Sequence, residues 1–191
     1  MAQPIVVEDI NHIFRARYSG RAYDPAREIS SHDLNAVFEA ARWSPSGGNL
    51  QPWRYVVARK EDGAGYERLL KLLNENNREW AQHAPVLVLT AVLTTRTNAQ
   101  GEKIHNPTAL YDLGMANMSL ALEATHRGMM AHMIGGFDKN AAHALLAEDV
   151  EPIVMMTLGY AGDHGILSEF NQGRETAPRT RKALDEIVTT L

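Results

Sequence analysis

Pro85-Val86-Leu87-Val88-Leu89-Thr90-Ala91-Val92-Leu93 is the stretch that most restricts the folds open to this chain. It has no alternation of polar and apolar residues, the pattern of a strand buried on both faces rather than one that turns a face to water. Such a strand belongs in the middle of a sheet. Further strands are predicted at 55–58, 130–134 and 153–160, with helical spacing between them. Helices are predicted at 7–17, at 65–77 with a polar face, at 109–127 with Gly128 as its C′ stop, and at 139–147. Ser30-Ser31-His32-Asp33 resembles a capping box, and Leu34, Val37, Phe38 and Ala41 follow at helical spacing to give another helix ending near Pro45. Residues 96–107 are polar and irregular, the profile of a mobile lid or binding segment. A polar tail ends in a helical pattern at 181–191. This alternation of strands and helices is a mixed α/β pattern, which periodicity alone would assign to a Rossmann-like sheet. No Gly-x-Gly-x-x-Gly follows a strand, which argues against that fold.

Composition excludes several functions. With 191 residues, 45% hydrophobic and 22% charged, the expectation is one globular domain over residues 1–191, without repeats or linkers. A net charge of −4 argues against nucleic acid or an anionic membrane as partner. The absence of cysteine excludes disulfides, thiolate metal sites and a cysteine nucleophile. Residues 1–9 lack the pattern of a leader peptide, and no apolar run approaches the roughly 20 residues of a membrane span, so a cytoplasmic location is expected. The eight histidines have no metal-ligand spacing, and neither a triad nor a carboxylate pair is legible.

Four clusters carry chemistry. Pro45-Ser46-Gly47-Gly48-Asn49-Leu50-Gln51-Pro52-Trp53 sets φ-permissive and amide residues between two prolines, suited to lining a planar ligand rimmed with donors and acceptors. Arg17-Tyr18-Ser19-Gly20-Arg21 places two guanidiniums around a hydroxyl, able to grip an anion. Arg179-Thr180-Arg181 is a second basic pair, and Ile134-Gly135-Gly136-Phe137-Asp138 offers backbone N–H groups at a strand end. Read alone, the 45–53 stretch points to a ligand-lining loop more than to a plain turn, whereas the basic pairs and the paired glycines are what solvated helix ends, tails and turns ordinarily look like.

Taken together and in order, these residues resemble the FMN-dependent nitroreductase family. Arg17 to Arg21 resembles the family's Arg-Arg-Ser-x-Arg element, and Ala40 to Trp53 its Ala-Ala-Arg-Trp-x-Pro-Ser-x-x-Asn-x-Gln-Pro-Trp signature. Asn77 and Trp80 before Ala84-Pro85, Asp112-x-Gly114, Gly135 to Asp138, Gly159-Tyr160 and Arg179-x-Arg181 extend the likeness. The resemblance implies an α+β three-layer sandwich, a mixed and mostly antiparallel sheet flanked by helices, assembled as an intertwined homodimer with FMN at the interface. It implies that Arg17, Ser19, Arg179 and Arg181 hold the FMN phosphate, with Tyr18 alongside. Arg21 would lie near flavin N1 and O2, Asn77 on the ribityl or pyrimidine side, and Ile134, Gly135 and Gly136 near N5. Pro45, Ser46, Gly47, Asn49 and Gln51 would reach the cofactor from the partner subunit. No side chain is implied as a nucleophile or metal ligand; NADH or NADPH would pass hydride to flavin N5 and a small organic acceptor, nitroaromatic or quinone, would receive it, in a ping-pong cycle.

Some residues depart from the family pattern. Tyr18 stands where many members have a second Arg or His, Trp80 where a lysine is frequent, and Gly135 where one subgroup has an acid. The family also contains deiodinases, flavin-destroying enzymes and oxidases, so fold and cofactor transfer further than substrate does. A flavin-binding storage or sensor protein, and a flavin-dependent oxidase of a specific organic substrate, stand as alternatives.

Overall fold

A computed structural model describes residues 10–191; the expected helix start at 7–9 and the reading of 1–9 as free of a leader lie outside the described residues. In chain order the elements are α1 (His12–Ala16), α2 (Ser31–Arg42), β1 (Trp53–Arg59), α3 (Ala64–Leu70), α4 (Glu75–Ala81), β2 (Val86–Leu93), β3 (Thr95–Thr97), β4 (Lys103–His105), α5 (Ala109–His126), β5 (Met129–Ile134), α6 (Lys139–His143), β6 (Val150–Tyr160) and α7 (Glu169–Thr176).

The apolar run becomes β2, an inner strand of a four-stranded sheet ordered β1-β2-β6-β5. Every residue from Val86 to Val92 is buried, as an uninterrupted apolar strand requires. Its residues divide between two cores. Val86, Val88 and Val92 join Leu34, Val37 and Ala41 of α2 and Leu113, Ala116 and Leu120 of α5. Leu87 and Leu89 join Tyr66, Leu69 and Leu70 of α3 and Trp80 of α4. The result is the expected α+β sandwich of helix, sheet and helix layers. Its sheet, expected to be mixed and mostly antiparallel, is antiparallel in every described pair.

Local chemistry explains the helix boundaries. Ser30 Oγ accepts the Asp33 N–H at 3.0 Å, capping α2 as its sequence predicts. Alanines 109, 116, 121 and 124 let α5 lie close to the sheet, and Gly128, at φ 74°, ends the turn after it.

Four expectations need correction. The helix predicted over 65–77 is two, α3 and α4, because Leu72 and Leu73 turn into the core and Asn74 starts a new helix by accepting the Asn77 N–H at 3.0 Å. Residues 96–107 form a ribbon, β3 paired with β4, rather than an irregular lid. Its turn is organised by Asn98 Oδ1, which accepts the N–H groups of Gln100 and Glu102, and by Gly101 at φ 82°. The helix predicted over 139–147 stops at His143. The tail holds α7 and then, within 181–191, only a 3-10 turn at Leu184–Glu186, with Leu184, Ile187 and Val188 exposed.

Candidate functional site

The site is built from the edge of the sheet inward. Strand β5 is an edge strand, and the 17–21 segment runs beside it, with His132 Nδ1 3.0 Å from the Gly20 carbonyl oxygen. A carbonyl only accepts, so Nδ1 carries the proton. A Cβ on Gly20 would lie 2.4 Å from Met130 Sδ, so the close approach of this segment to the strand requires glycine. The His132 ring stacks on Trp80 of α4, with centroids 4.6 Å apart, and the Arg21 guanidinium lies 5.8 Å from the Trp80 ring centroid. One turn earlier on α4, Asn77 Nδ2 donates to the Gly136 carbonyl at 3.2 Å. A continuous chain of contacts thus joins Arg21, Trp80, Asn77 and the 134–136 strand end.

The tail brings the second basic pair to the first. Arg179 donates from Nη1 to the Arg15 carbonyl and from Nη2 to the Arg17 carbonyl, both at 2.8 Å, and lies over the Tyr18 ring. Arg17 Nη1 donates to Ser19 Oγ at 3.1 Å. Burial lowers the Arg17 pKa below the ordinary guanidinium range, and repulsion from Arg179 and Arg181 lowers it further. Among the described residues none of these three guanidiniums has a carboxylate partner. Three cations gathered from opposite ends of the chain without a counter-charge fit a multiply charged anion, and the fork-shaped donors match phosphate oxygens. The donor set therefore fits the phosphate of FMN.

Two residues of this region, the buried Glu175 and the half-buried His132, carry no sequence motif. Glu175, on α7, accepts the Arg21 backbone N–H with both carboxylate oxygens, at 3.1 and 3.0 Å, and its own carbonyl accepts the Tyr18 hydroxyl. Burial pushes the His132 pKa down to about 4, so the ring is neutral at pH 7. Their contacts span 154 and 112 positions, and no local spacing signals them.

Pro45, Ser46, Gly47, Asn49 and Gln51 lie elsewhere. Their loop leads into β1 at the opposite edge of the sheet, three strand spacings or roughly 14 Å from β5. It is nevertheless built rigidly. Gly47 N–H donates to the buried Asp112 carboxylate at 3.2 Å, and Gln51 N–H to Ser46 Oγ at 3.0 Å. Asn49 and Gln51 both take left-handed backbone, at φ 55° and 48°, a conformation that Asn tolerates better than most residues but that is uncommon for Gln.

Comparison with known proteins gives this arrangement relatives. Residues 14–79 and 67–160 match the sequence model of the Nitroreductase family. A Bacillus subtilis protein named "Putative NAD(P)H nitroreductase YdgI" is 27% identical over 198 residues, covering 86% of this chain and 94% of its own. Among solved structures, an oxidoreductase containing FMN is 30% identical and superposes with a TM-score of 0.91, over 97% of this chain and 93% of that one. A nitroreductase family protein of Clostridium difficile, 25% identical, superposes at 0.71 over 96% of this chain and 100% of its own.

Proposed function

The chain belongs to the Nitroreductase family, and from that premise we propose that it is an FMN-dependent oxidoreductase drawing on NADH or NADPH. The observation that carries the reading is the cluster of Arg17, Arg179 and Arg181 without a carboxylate partner among the described residues. A relative of the same architecture is described as containing FMN, which supports the choice of cofactor. In this reading Arg17, Ser19, Arg179 and Arg181 hold the phosphate. Asn77, Ile134, Gly135 and Gly136 face the ring, with Gly136 fixed by its hydrogen bond to Asn77. Arg21 supplies positive charge to the pyrimidine edge, stabilising the negative charge that develops there on reduction. When bound, FMN would supply the redox chemistry, a two-electron transfer from NADH or NADPH to a nitroaromatic or quinone acceptor in a ping-pong cycle. The chain's residues bind and orient; none acts as nucleophile.

Completion of the site by a second copy belongs to the same proposal. The Pro45–Gln51 loop leads into β1, at the opposite edge of the sheet from β5, and a homodimer would bring a partner's loop to the site.

Riboflavin lacks the phosphate, and so it tests the assignment. Apoprotein is expected to bind FMN far more tightly than riboflavin, and Arg17→Ala with Arg181→Ala to abolish most of that preference. Each charge-assisted hydrogen bond contributes about 1.5–3 kcal/mol, so fluorescence titration would resolve the loss. Equal affinity for the two flavins in the unaltered protein would refute the phosphate site.

A further inference from the structure

Glu175 has no place in the function described so far. Its side chain is 2% exposed, and its carboxylate accepts the Arg21 backbone N–H with both oxygens and lies 3.7 Å from Arg21 Nη1 through Oε2. An amide side chain could accept that N–H equally well. Anchoring the 18–21 segment therefore does not by itself account for a buried negative charge, which costs much to desolvate unless it is matched. Among the described residues the only cation in ion-pair contact with it is Arg21. That guanidinium is itself mostly buried, its Nε has no hydrogen-bond partner, and Arg174 adds a second positive charge nearby. The room for Glu175 is also specific: a Cβ on Gly20 would lie 3.0 Å from its Oε1.

We infer that Glu175 is a positioning residue that sets the redox balance of the site, holding the Arg21 backbone while offsetting part of the charge its guanidinium presents to the cofactor. The inference rests on the reading that FMN binds here with Arg21 at its pyrimidine edge. Reduction places negative charge on that edge, so a fixed carboxylate behind Arg21 disfavours the reduced form relative to the oxidised one. Its removal shifts the balance the other way. No bond to Glu175 forms or breaks, and no proton moves through it.

The test is the midpoint potential of the FMN-loaded protein, measured by dye equilibration, alongside the dissociation constant for oxidised FMN. Glu175→Gln keeps an acceptor for the Arg21 N–H and removes the charge. It is expected to bind oxidised FMN close to the unaltered protein and to gain about tenfold in relative affinity for the reduced form, a positive shift of about 30 mV for a two-electron couple. A Glu175→Gln protein that holds FMN at an unchanged or lower potential would overturn the inference and leave Glu175 a structural clamp. If that variant does not fold, Glu175→Asp carries the test: retracting the carboxylate by one methylene is expected to give a smaller positive shift, and an unmoved potential counts against the inference. An unaltered protein that takes up no FMN would overturn the functional reading itself, a result visible before any variant is made.

Discussion

His132 shows how much a single residue can report. Its ring is wedged between Trp80 and the 17–21 segment, and burial lowers its pKa from 6.5 to about 4. The unfolded chain takes up a proton near pH 6.5 and the folded chain only near 4. Stability from this group is therefore fully present above pH 6.5 and lost progressively as pH falls from 6.5 to 4, by about 3 kcal/mol. Urea midpoints measured from pH 7.5 to 4.5 are expected to decline, and to decline less in His132→Asn, whose amide can still donate to the Gly20 carbonyl. Parallel declines would show that other groups govern the acid limit. Nothing around His132 in sequence marks it, because its partners are brought to it only by the fold. Arg17, Ser19, Arg21 and Gly136 stand out in the sequence because each sits in a short motif with its own chemistry, whereas Asn77 is singled out only by the family likeness. The fold pairs Arg17 with Ser19 and Asn77 with Gly136 by hydrogen bonds, and sets Arg21 against Trp80, which shares a helix with Asn77. Glu175 was not legible for the same reason as His132: it meets Arg21 across 154 positions.

At the level of elements, α4 matters most to the site because it carries both Asn77 and Trp80. Its start depends on Asn74, whose Oδ1 accepts the Asn77 N–H and whose own N–H donates to the Gly136 carbonyl. Asn74→Ala is expected to cost about 1 kcal/mol in stability through the lost cap. It is also expected to weaken FMN binding, since the first turn that places Asn77 loosens. Denaturant unfolding and FMN titration of the same preparation check both effects; a stability loss with unchanged affinity would separate the cap from the site. The break between α3 and α4 was hidden in sequence because Leu69, Leu70, Leu72 and Leu73 continue an apolar pattern across it. Asn74, a good N-cap residue followed by Glu75, was the signal that could have revealed it. The 95–105 ribbon was hidden similarly: its strands are three residues each, and only Asn98 and Gly101 point to a turn. In contrast, β2 and α5 were plain because their burial patterns are long and uninterrupted.

For the whole molecule, one chain leaves conspicuous apolar surface. Trp43, Leu110 and Tyr111 are 76%, 61% and 72% exposed, around the α2 end and the first turn of α5, and Leu184, Ile187 and Val188 extend from the tail. Single exposed apolar residues are ordinary, but this many large ones near the Pro45 loop and the tail are what a homodimer would cover. Light scattering is expected to give twice the 21.2 kDa of one chain; a stable monomer that still binds FMN would contradict the shared site. Among the described residues no helix is long and apolar enough to cross a membrane. The three-layer arrangement followed from the family likeness rather than from periodicity, which pointed to a Rossmann-like sheet, because strand pairing direction leaves no mark in the spacing of apolar residues.

The most direct test of the central claim is the visible absorption spectrum of the purified protein before and after anaerobic addition of NADPH or NADH, with the released cofactor identified by mass. The account predicts a yellow protein that carries FMN and bleaches when the nicotinamide is added. A colourless protein that refuses added FMN, or a yellow one that never bleaches with either nicotinamide, would contradict it.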